Sequence, residues 1–448
     1  MLNRGVYMIV AELLAGLQTV IPIEQMEDGQ STFSSLGNNG QIIVYPKTEQ
    51  EISDLLKYAN DNGKTITIAG AGTKRGFGGT EEFTDILLSL KDYAGIIDHS
   101  VGDMIVTVKA GTKFKELQDN LSRHHQKIPL DPFWGSEATI GGILASNESG
   151  AKRLGYGSAR DLVIGLRVVY PDGTIIRTGG KTVKNVAGYD MNKLFIGSMG
   201  TLGVISEITL KLRPQPKFES LILLAFTDGK LDKIRDFAVS LLDSAIEPVS
   251  LEAIDPTLAE KLTGNANYLL AISFEDVESS VPYQEEYVRK NLPDGAEIVV
   301  FEQEEAAAFW QRFAEISPNG LQAKNENATL ASLKIGVKNL DVLNVIKQST
   351  LLQDPHHLKI EAHGGLGHGI VHMNLMGASQ DVIKAISLIR TFVVSLGGYA
   401  IIKHLPFVYR KQISVWGEKP PYFFLLEGIK AKIDPNRTLN TKRFVGGI

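Results

Sequence analysis

The sequence predicts an α+β protein: a glycine-rich domain of alternating strands and helices, then a domain built on an antiparallel sheet covered by helices. Three observations predict it. Short apolar runs of strand period alternate with segments of helical period along the 448 residues. Glycine and other small residues crowd the stretch Leu130–Pro214 between runs that read as strands. Arg213-Pro214-Gln215-Pro216 then punctuates the chain, and a regular pattern of strands and helices follows it. The expected organisation is a helical segment over 1–40, a first domain over 41–215, a second over 216–428 and a returning segment over 429–448.

Taken in order, Val10, Leu13, Leu14 and Leu17 fall at helical spacing. Glu12 interrupts the apolar run and no small-residue cleavage site follows, so the start reads as a packed amphipathic helix and not a signal peptide. No run approaches the roughly 20 apolar residues of a membrane span. The expected location is the cytoplasm. Thr48-x-x-Glu51 is a capping box opening a helix with Ile52, Leu55, Leu56 and Ala59 on one face. Strands are expected at Thr65–Ala69, Ile86–Leu90 and Met104–Lys109, and a helix through Phe114, Leu117 and Leu121. Val163–Tyr170 and Thr174–Thr178 form a hairpin across Pro171-Asp172-Gly173. Asp190–Ile196 suits a short helix, and Val204–Leu212 an alternating strand. Beyond Ser220, strands are expected at 220–226, 249–254, 268–274, 297–301, 329–335, 358–361, 370–375 and 399–403, with helices between them on one face of the sheet.

Composition excludes several functions. A net charge of −5 gives nucleic-acid binding no electrostatic support. With no cysteine there is no disulfide, thiolate metal site, iron–sulfur cluster or cysteinyl flavin bond. The dense glycines of 130–214 suggest close approach of backbone to a large flat ligand. Gly70-Ala71-Gly72 is not a Rossmann turn, because no helix opens from it. Its backbone N–H groups can still form an anion-binding nest beside Lys74 and Arg75; a plain turn cluster is the alternative.

The segments YPKTEQEI, the AGAG loop, DPFWGSEATIGG, YGSARDLVIGLRVVYPDG, VKNVAGYD and GSMGTLGVISE occur in this order, and DPNRTLNTKRFVGG closes the chain. Together they resemble the PCMH-type FAD-binding domain of the vanillyl-alcohol oxidase superfamily. Within it they look most like glycolate oxidase flavin subunits and D-2-hydroxyacid dehydrogenases. The resemblance implies a two-part FAD-binding domain and a cap that supplies the substrate site. It implies that Gly70, Ala71, Gly72, Thr73 and Lys74 wrap the pyrophosphate. Thr139, Gly142, Ser146 and Asn147 would lie beside phosphates and flavin, Gly203, Val204 and Ile205 at the adenine and ribose, and Asn440 near the flavin ring. The first loop holds no histidine to tether the flavin, so FAD is expected to be non-covalent.

Glu361–Leu375 carries His363, His368 and His372. Related hydroxyacid dehydrogenases hold a divalent ion with two histidines and a glutamate preceding a later histidine. Here the histidine spacing differs and Lys403 precedes His404, so no metal is expected. This departure and the tail AIIKHLPFVYRKQISVWG resemble the glycolate oxidase accessory flavin subunit. His124-His125 and His356-His357 read as a helix end and a solvated loop.

The expected activity is oxidation of a small 2-hydroxyacid of the glycolate or D-lactate type by hydride transfer to FAD. Arg410 and Lys334 are candidates for binding the carboxylate, His372 and His404 for taking the hydroxyl proton. Any iron–sulfur centre must sit on a partner chain, so an iron–sulfur subunit and a sibling flavin subunit are expected. The alternatives are a non-catalytic FAD-binding or electron-relay subunit, and a sugar or alditol oxidase.

Overall fold

The computed structural model of the protein describes residues 4–180, 189–322 and 328–448. Val183–Gly188 of the VKNVAGYD motif lie outside the described residues, as do the side chains of residues 4–10, Val10 among them.

The chain opens with helix α1 (Arg4–Leu17), whose Leu13 and Leu17 are buried in the core of the first domain. Strand β1 (Met26–Asp28) pairs with β2 (Asn39–Val44), so β1 belongs to the first domain, on which Leu13 and Leu17 also pack. Thr48 opens α2 (Glu49–Asp61): its Oγ1 accepts from the Glu51 N–H, and the Glu51 carboxylate accepts from the Thr48 N–H. Ile52, Leu55, Leu56 and Ala59 form the buried stripe of this helix. β3 (Ile66–Ala69) and β4 (Phe83–Ser89) complete a sheet ordered β1-β2-β4-β3 with parallel pairing at β2/β4 and β3/β4.

A second sheet is antiparallel. It contains β5 (Ile96–Ser100) and β6 (Ile105–Lys109). After α3 (Phe114–Ser122), the short β7 (Gln126–Lys127), α4 (Ile140–Ser146), α5 (Arg153–Tyr156) and α6 (Ala159–Leu162), it gains β8 (Val163–Val169) and β9 (Ile175–Gly179). Helix α7 (Asn192–Phe195) then leads to β10 (Val204–Lys211), and the order is β5-β6-β10-β8-β9. The β8–β9 hairpin turns where expected: the Gly173 N–H donates to the Tyr170 carbonyl, with Gly173 at φ +85°. One continuous apolar core joins both sheets. β11 (Arg213–Pro214) pairs with β7 and ends the domain.

The second domain is an eight-stranded antiparallel sheet. Its elements are β12 (Phe218–Phe226), α8 (Leu231–Leu242), β13 (Ser250–Ile254), α9 (Pro256–Thr263), β14 (Tyr268–Asp276), α10 (Ser280–Lys290), β15 (Ala296–Glu302), α11 (Gln303–Phe313), β16 (Thr329–Gly336), α12 (Asp341–His356), β17 (Lys359–Gly365), β18 (Ile370–Gly377), α13 (Ser379–Ser395) and β19 (Tyr399–His404). The strand order is β15-β12-β14-β13-β17-β18-β16-β19. Helical cover on one face only is corrected here. Ile222 and Leu224 of β12 share a core with α8, α10, α12 and α13, while Leu221 and Leu223 share another with α9 and α11. Successive strand residues point to opposite faces, and β12 is apolar on both, so both require cover.

The chain then runs through α14 (Phe407–Arg410) and α15 (Phe423–Ile433) back to the first domain, where Leu439 lies parallel to Ile66 of β3.

Candidate functional site

A cleft of about 270 Å³ opens between the loop after β3, helix α4, the start of β10 and the returning C-terminal segment. Its construction starts at Gly70. A Cβ there would stand 2.1 Å from Thr139 Oγ1, so only glycine allows the loop to lie this close to α4. Thr139 caps α4, its hydroxyl accepting from the Gly142 N–H at 3.3 Å. The apolar spacing of Ile140, Ile143 and Leu144 behind a threonine is a helix signal that sequence reading passed over.

The backbone N–H groups of Gly70, Ala71, Gly72, Thr73 and Lys74 donate to no protein acceptor among the described residues. Donors converging on a cleft without acceptors fit an anionic group such as a pyrophosphate. Arg75 is not a free partner for it, because its guanidinium donates to the Thr32 carbonyl and to Asn39 Oδ1. Lys74 lines the cleft with its ammonium 3.4 Å from Glu148.

The far wall is fastened by the C-terminal turn. Asn440, at φ +43°, accepts from the Ile68 N–H at 2.9 Å through Oδ1 and donates to the Met199 carbonyl at 2.6 Å through Nδ2. Lys430 donates to the carbonyls of Thr201 and Leu439 and to Asp434, which accepts from the N–H groups of Thr438 and Leu439. Of the expected cofactor residues, Gly70, Ala71, Gly72, Thr73, Lys74, Thr139, Gly142, Ser146, Gly203, Ile205 and Asn440 line this cleft. Asn147 lines an adjoining cavity instead, and Val204 does not line the cleft, its side chain being buried in the core.

Glu148 is the residue that sequence reading missed. It is an acid among the small residues of Ala145–Gly150, and it is fully buried between the first domain and the cap. Lys403 of β19 donates to its Oε1 at 2.5 Å. Burial by itself would raise this carboxyl; the charges of Lys403 and Lys74 overcome that and hold it at about 2. Lys334 also bears on it. Two ammonium groups thus pair with one carboxylate, and Lys334 acts on it from beyond ion-pair distance, leaving positive charge for an anionic ligand.

The adjoining cavity has a volume of about 400 Å³ and shares Ser146 with the first cleft. Lys334 of β16 lines it, and among the described residues its ammonium has no hydrogen bond or ion pair. Burial, and then the neighbouring Lys403, lower its pKa to about 8.

His372 lies directly across from Lys334 in β18, and His363 across from His372 in β17. The two imidazoles stack at 5.2 Å, with Phe133 of the first domain edge-on to both. Burial, then Lys403, hold His372 well below the usual range, so it is neutral. It lines neither of the two larger cavities. His363 Nδ1 is 2.5 Å from Glu252 Oε1; burial pushes Glu252 well up and His363 down to about 3, so this is a hydrogen bond between neutral partners and not an ion pair. Among the described residues no three His, Asp or Glu side chains converge as a metal-ligand set. His404 borders a space of about 20 Å³ with Lys74, Glu148 and Lys403, room for about one water.

Arg410 as a carboxylate ligand is corrected by its position. Its guanidinium is buried and donates to the carbonyls of Gly78 and Leu36, and it faces neither large cavity. It fastens the segment after β19 to loops of the first domain.

Residues 40–179 match the model of the FAD-binding domain family. The chain is 26% identical to a D-lactate dehydrogenase of Archaeoglobus fulgidus, with 90% of this chain and 91% of that protein covered. It is 28% identical to glycolate oxidase subunit GlcD of Bacillus subtilis, covering 89% and 87%. Over 38% of this chain and 48% of the other, it is 33% identical to glycolate oxidase subunit GlcE of Escherichia coli. Its fold matches 4-ethylphenol oxidase from Gulosibacter chungangensis with a TM-score of 0.76 at 14% identity, covering 97% of each chain. The architecture is the PCMH-type FAD-binding fold with an α+β cap. Among the described residues no helix is long and apolar enough to cross a membrane.

Proposed function

We propose that this FAD-dependent oxidoreductase oxidises a 2-hydroxyacid held by its carboxylate on Lys334. The observation that carries this reading is the Lys334 ammonium, which has no partner among the described residues, in a cavity adjoining the cleft proposed for the cofactor. A charge-assisted bond to a carboxylate contributes about 1.5–3 kcal/mol and compensates the buried ammonium. The similarity to a D-lactate dehydrogenase and to a glycolate oxidase subunit along most of the chain supports the substrate class.

The N–H groups of Gly70–Lys74 and the Lys74 ammonium would hold the pyrophosphate, with Thr139, Gly142, Ser146 and Asn440 forming the walls. FAD, when bound non-covalently here, supplies the two-electron acceptor. Of the two expected bases, His372 stands across from Lys334 in the sheet, but it lines neither large cavity, and burial with the nearby Lys403 disfavours its taking up a proton. His404 has only the small space beside Lys403.

A second reading is a flavin-binding subunit that turns over no substrate without its siblings. The similarity to two glycolate oxidase subunits favours it, and the absence of cysteine assigns any iron–sulfur centre to a partner. Anaerobic titration of the purified flavoprotein with glycolate and D-lactate separates the two. Bleaching by either acid supports oxidation by this chain. Bleaching only after a sibling subunit is added supports the second reading.

A further inference from the structure

We propose that the cavity around Lys334 selects an organic acid with a large apolar or aromatic side chain, in preference to glycolate or lactate. The inference rests on the hydroxyacid reading for its chemistry and on the cavity for its size. The cavity, about 400 Å³, is within the roughly 300–1,000 Å³ of pockets that enclose ligands much larger than glycolate. Glycolate anchored on Lys334 would leave most of its apolar wall uncovered.

That wall is built and rigid. Phe77 stacks on Trp416 with ring centroids 5.1 Å apart, and Phe444 meets Trp416 edge-on at 4.8 Å. Trp416 Nε1 donates to the Arg443 carbonyl at 3.1 Å, which fixes the indole. Leu426 and Ile401 also line the cavity. Among the described residues, the charged side chains that line it are all cationic: Lys334 and Lys403 inside, with the exposed Arg160 and Lys193. Aromatic surface with cations and no acidic side chain is complementary to a carboxylate carrying an apolar tail.

The test uses the FAD-loaded protein and two acids that cannot be oxidised, 3-phenylpropanoate and acetate, with affinities measured by calorimetry. The expected result is binding of 3-phenylpropanoate about 10-fold or more tighter than acetate, from the added apolar burial. Lys334→Met should weaken both. Leu426→Trp, which fills the cavity from a partly exposed helix position, should abolish the preference and leave acetate binding in place. Trp416→Leu should reduce the preference in the same way.

Equal affinities for the two acids would overturn the inference, as would a preference that survives Leu426→Trp. Loss of 3-phenylpropanoate binding when FAD is loaded onto the apoprotein would also overturn it, since the cofactor itself would then occupy the cavity. Anaerobic flavin reduction by D-phenyllactate and by glycolate completes the test. Faster reduction by D-phenyllactate at subsaturating concentration is expected. If neither acid reduces the flavin while 3-phenylpropanoate binds through Lys334, the oxidation reading falls and the cavity assignment stands. If glycolate is used as well as D-phenyllactate, the cavity assignment falls and oxidation stands.

Discussion

Glu148 and Lys403 meet at 2.5 Å across the boundary between the flavin domain and the cap, the carboxylate buried and the lysine half-buried. The pair couples the loop after α4 to the strand β19, and Lys74 of the cofactor loop lies 3.4 Å from the same carboxylate. One buried acid thus bonds a lysine of the cap sheet and lies beside a lysine that lines the cleft.

Replacement of Glu148 by glutamine should therefore destabilise the protein strongly. Removing one partner of a buried pair costs about 3–5 kcal/mol, because the other charge stays buried. The pH dependence has a defined sign. The carboxyl is held at about 2 when folded, against about 4.3 when unfolded. Its stabilisation is present above the unfolded value and is lost as pH falls toward about 2. Urea unfolding at pH 7 and at successively lower pH should show the gap between wild type and Glu148→Gln narrowing below about pH 4.3. A gap that is small at neutral pH, or independent of pH, would refute the role.

Arg410 makes a contrasting prediction. Its guanidinium serves two backbone carbonyls, those of Gly78 and Leu36, and no ligand-sized space. Arg410→Met should lower stability by about 2–4 kcal/mol through unsatisfied buried carbonyls. The KM for a hydroxyacid in the folded fraction should stay within about twofold. A KM raised tenfold or more, with stability intact, would restore Arg410 to the substrate site.

The fold was readable because its signals are local. The Thr48–Glu51 capping box, the Pro171-Asp172-Gly173 turn and the strand periods each act over a few residues, and each element appears within a few residues of its expected place. The cleft proposed to hold FAD was readable in part for the same reason, since the glycines of its loop and their N–H groups are contiguous in sequence. Glu148 and the misassigned Arg410 were not readable, because their roles are set by partners far away in the chain. Glu148 pairs with a lysine 255 residues on, and Arg410 bonds carbonyls more than 330 residues earlier. Burial on both faces of the cap sheet was hidden too, because an apolar run such as Leu221–Phe226 does not reveal how many layers it will meet.

Asn440 sets a prediction for the cofactor. It spans the end of β3 and the Met199–Gly200 turn, so it holds two walls of the cleft at fixed separation. It does so in a left-handed conformation that alanine adopts poorly. Asn440→Ala should weaken FAD retention by about 10-fold or more, measured as flavin fluorescence released on dilution. The loop from Gly70 to Gly79 holds no histidine. Acid precipitation of wild type should leave all yellow colour in the supernatant, and colour on the washed pellet would show a covalent flavin.

Lys334 allows the proposed substrate anchor to be read as a pH profile. Burial and Lys403 lower its pKa to about 8, so its ammonium is charged below that pH and neutral above it. A carboxylate ligand is therefore held at lower pH and released as pH rises. For the free enzyme this appears in kcat/KM, which should fall as pH passes about 8. Lys334→Met should lower kcat/KM roughly 10- to 100-fold at pH 7, matching a charge-assisted bond of about 1.5–3 kcal/mol, and should remove the alkaline fall. Lys334→Arg keeps the charge at all accessible pH values, so it should move the fall beyond the measurable range. An alkaline limb that persists unchanged in both variants would assign the titration to another group and remove Lys334 from the substrate site.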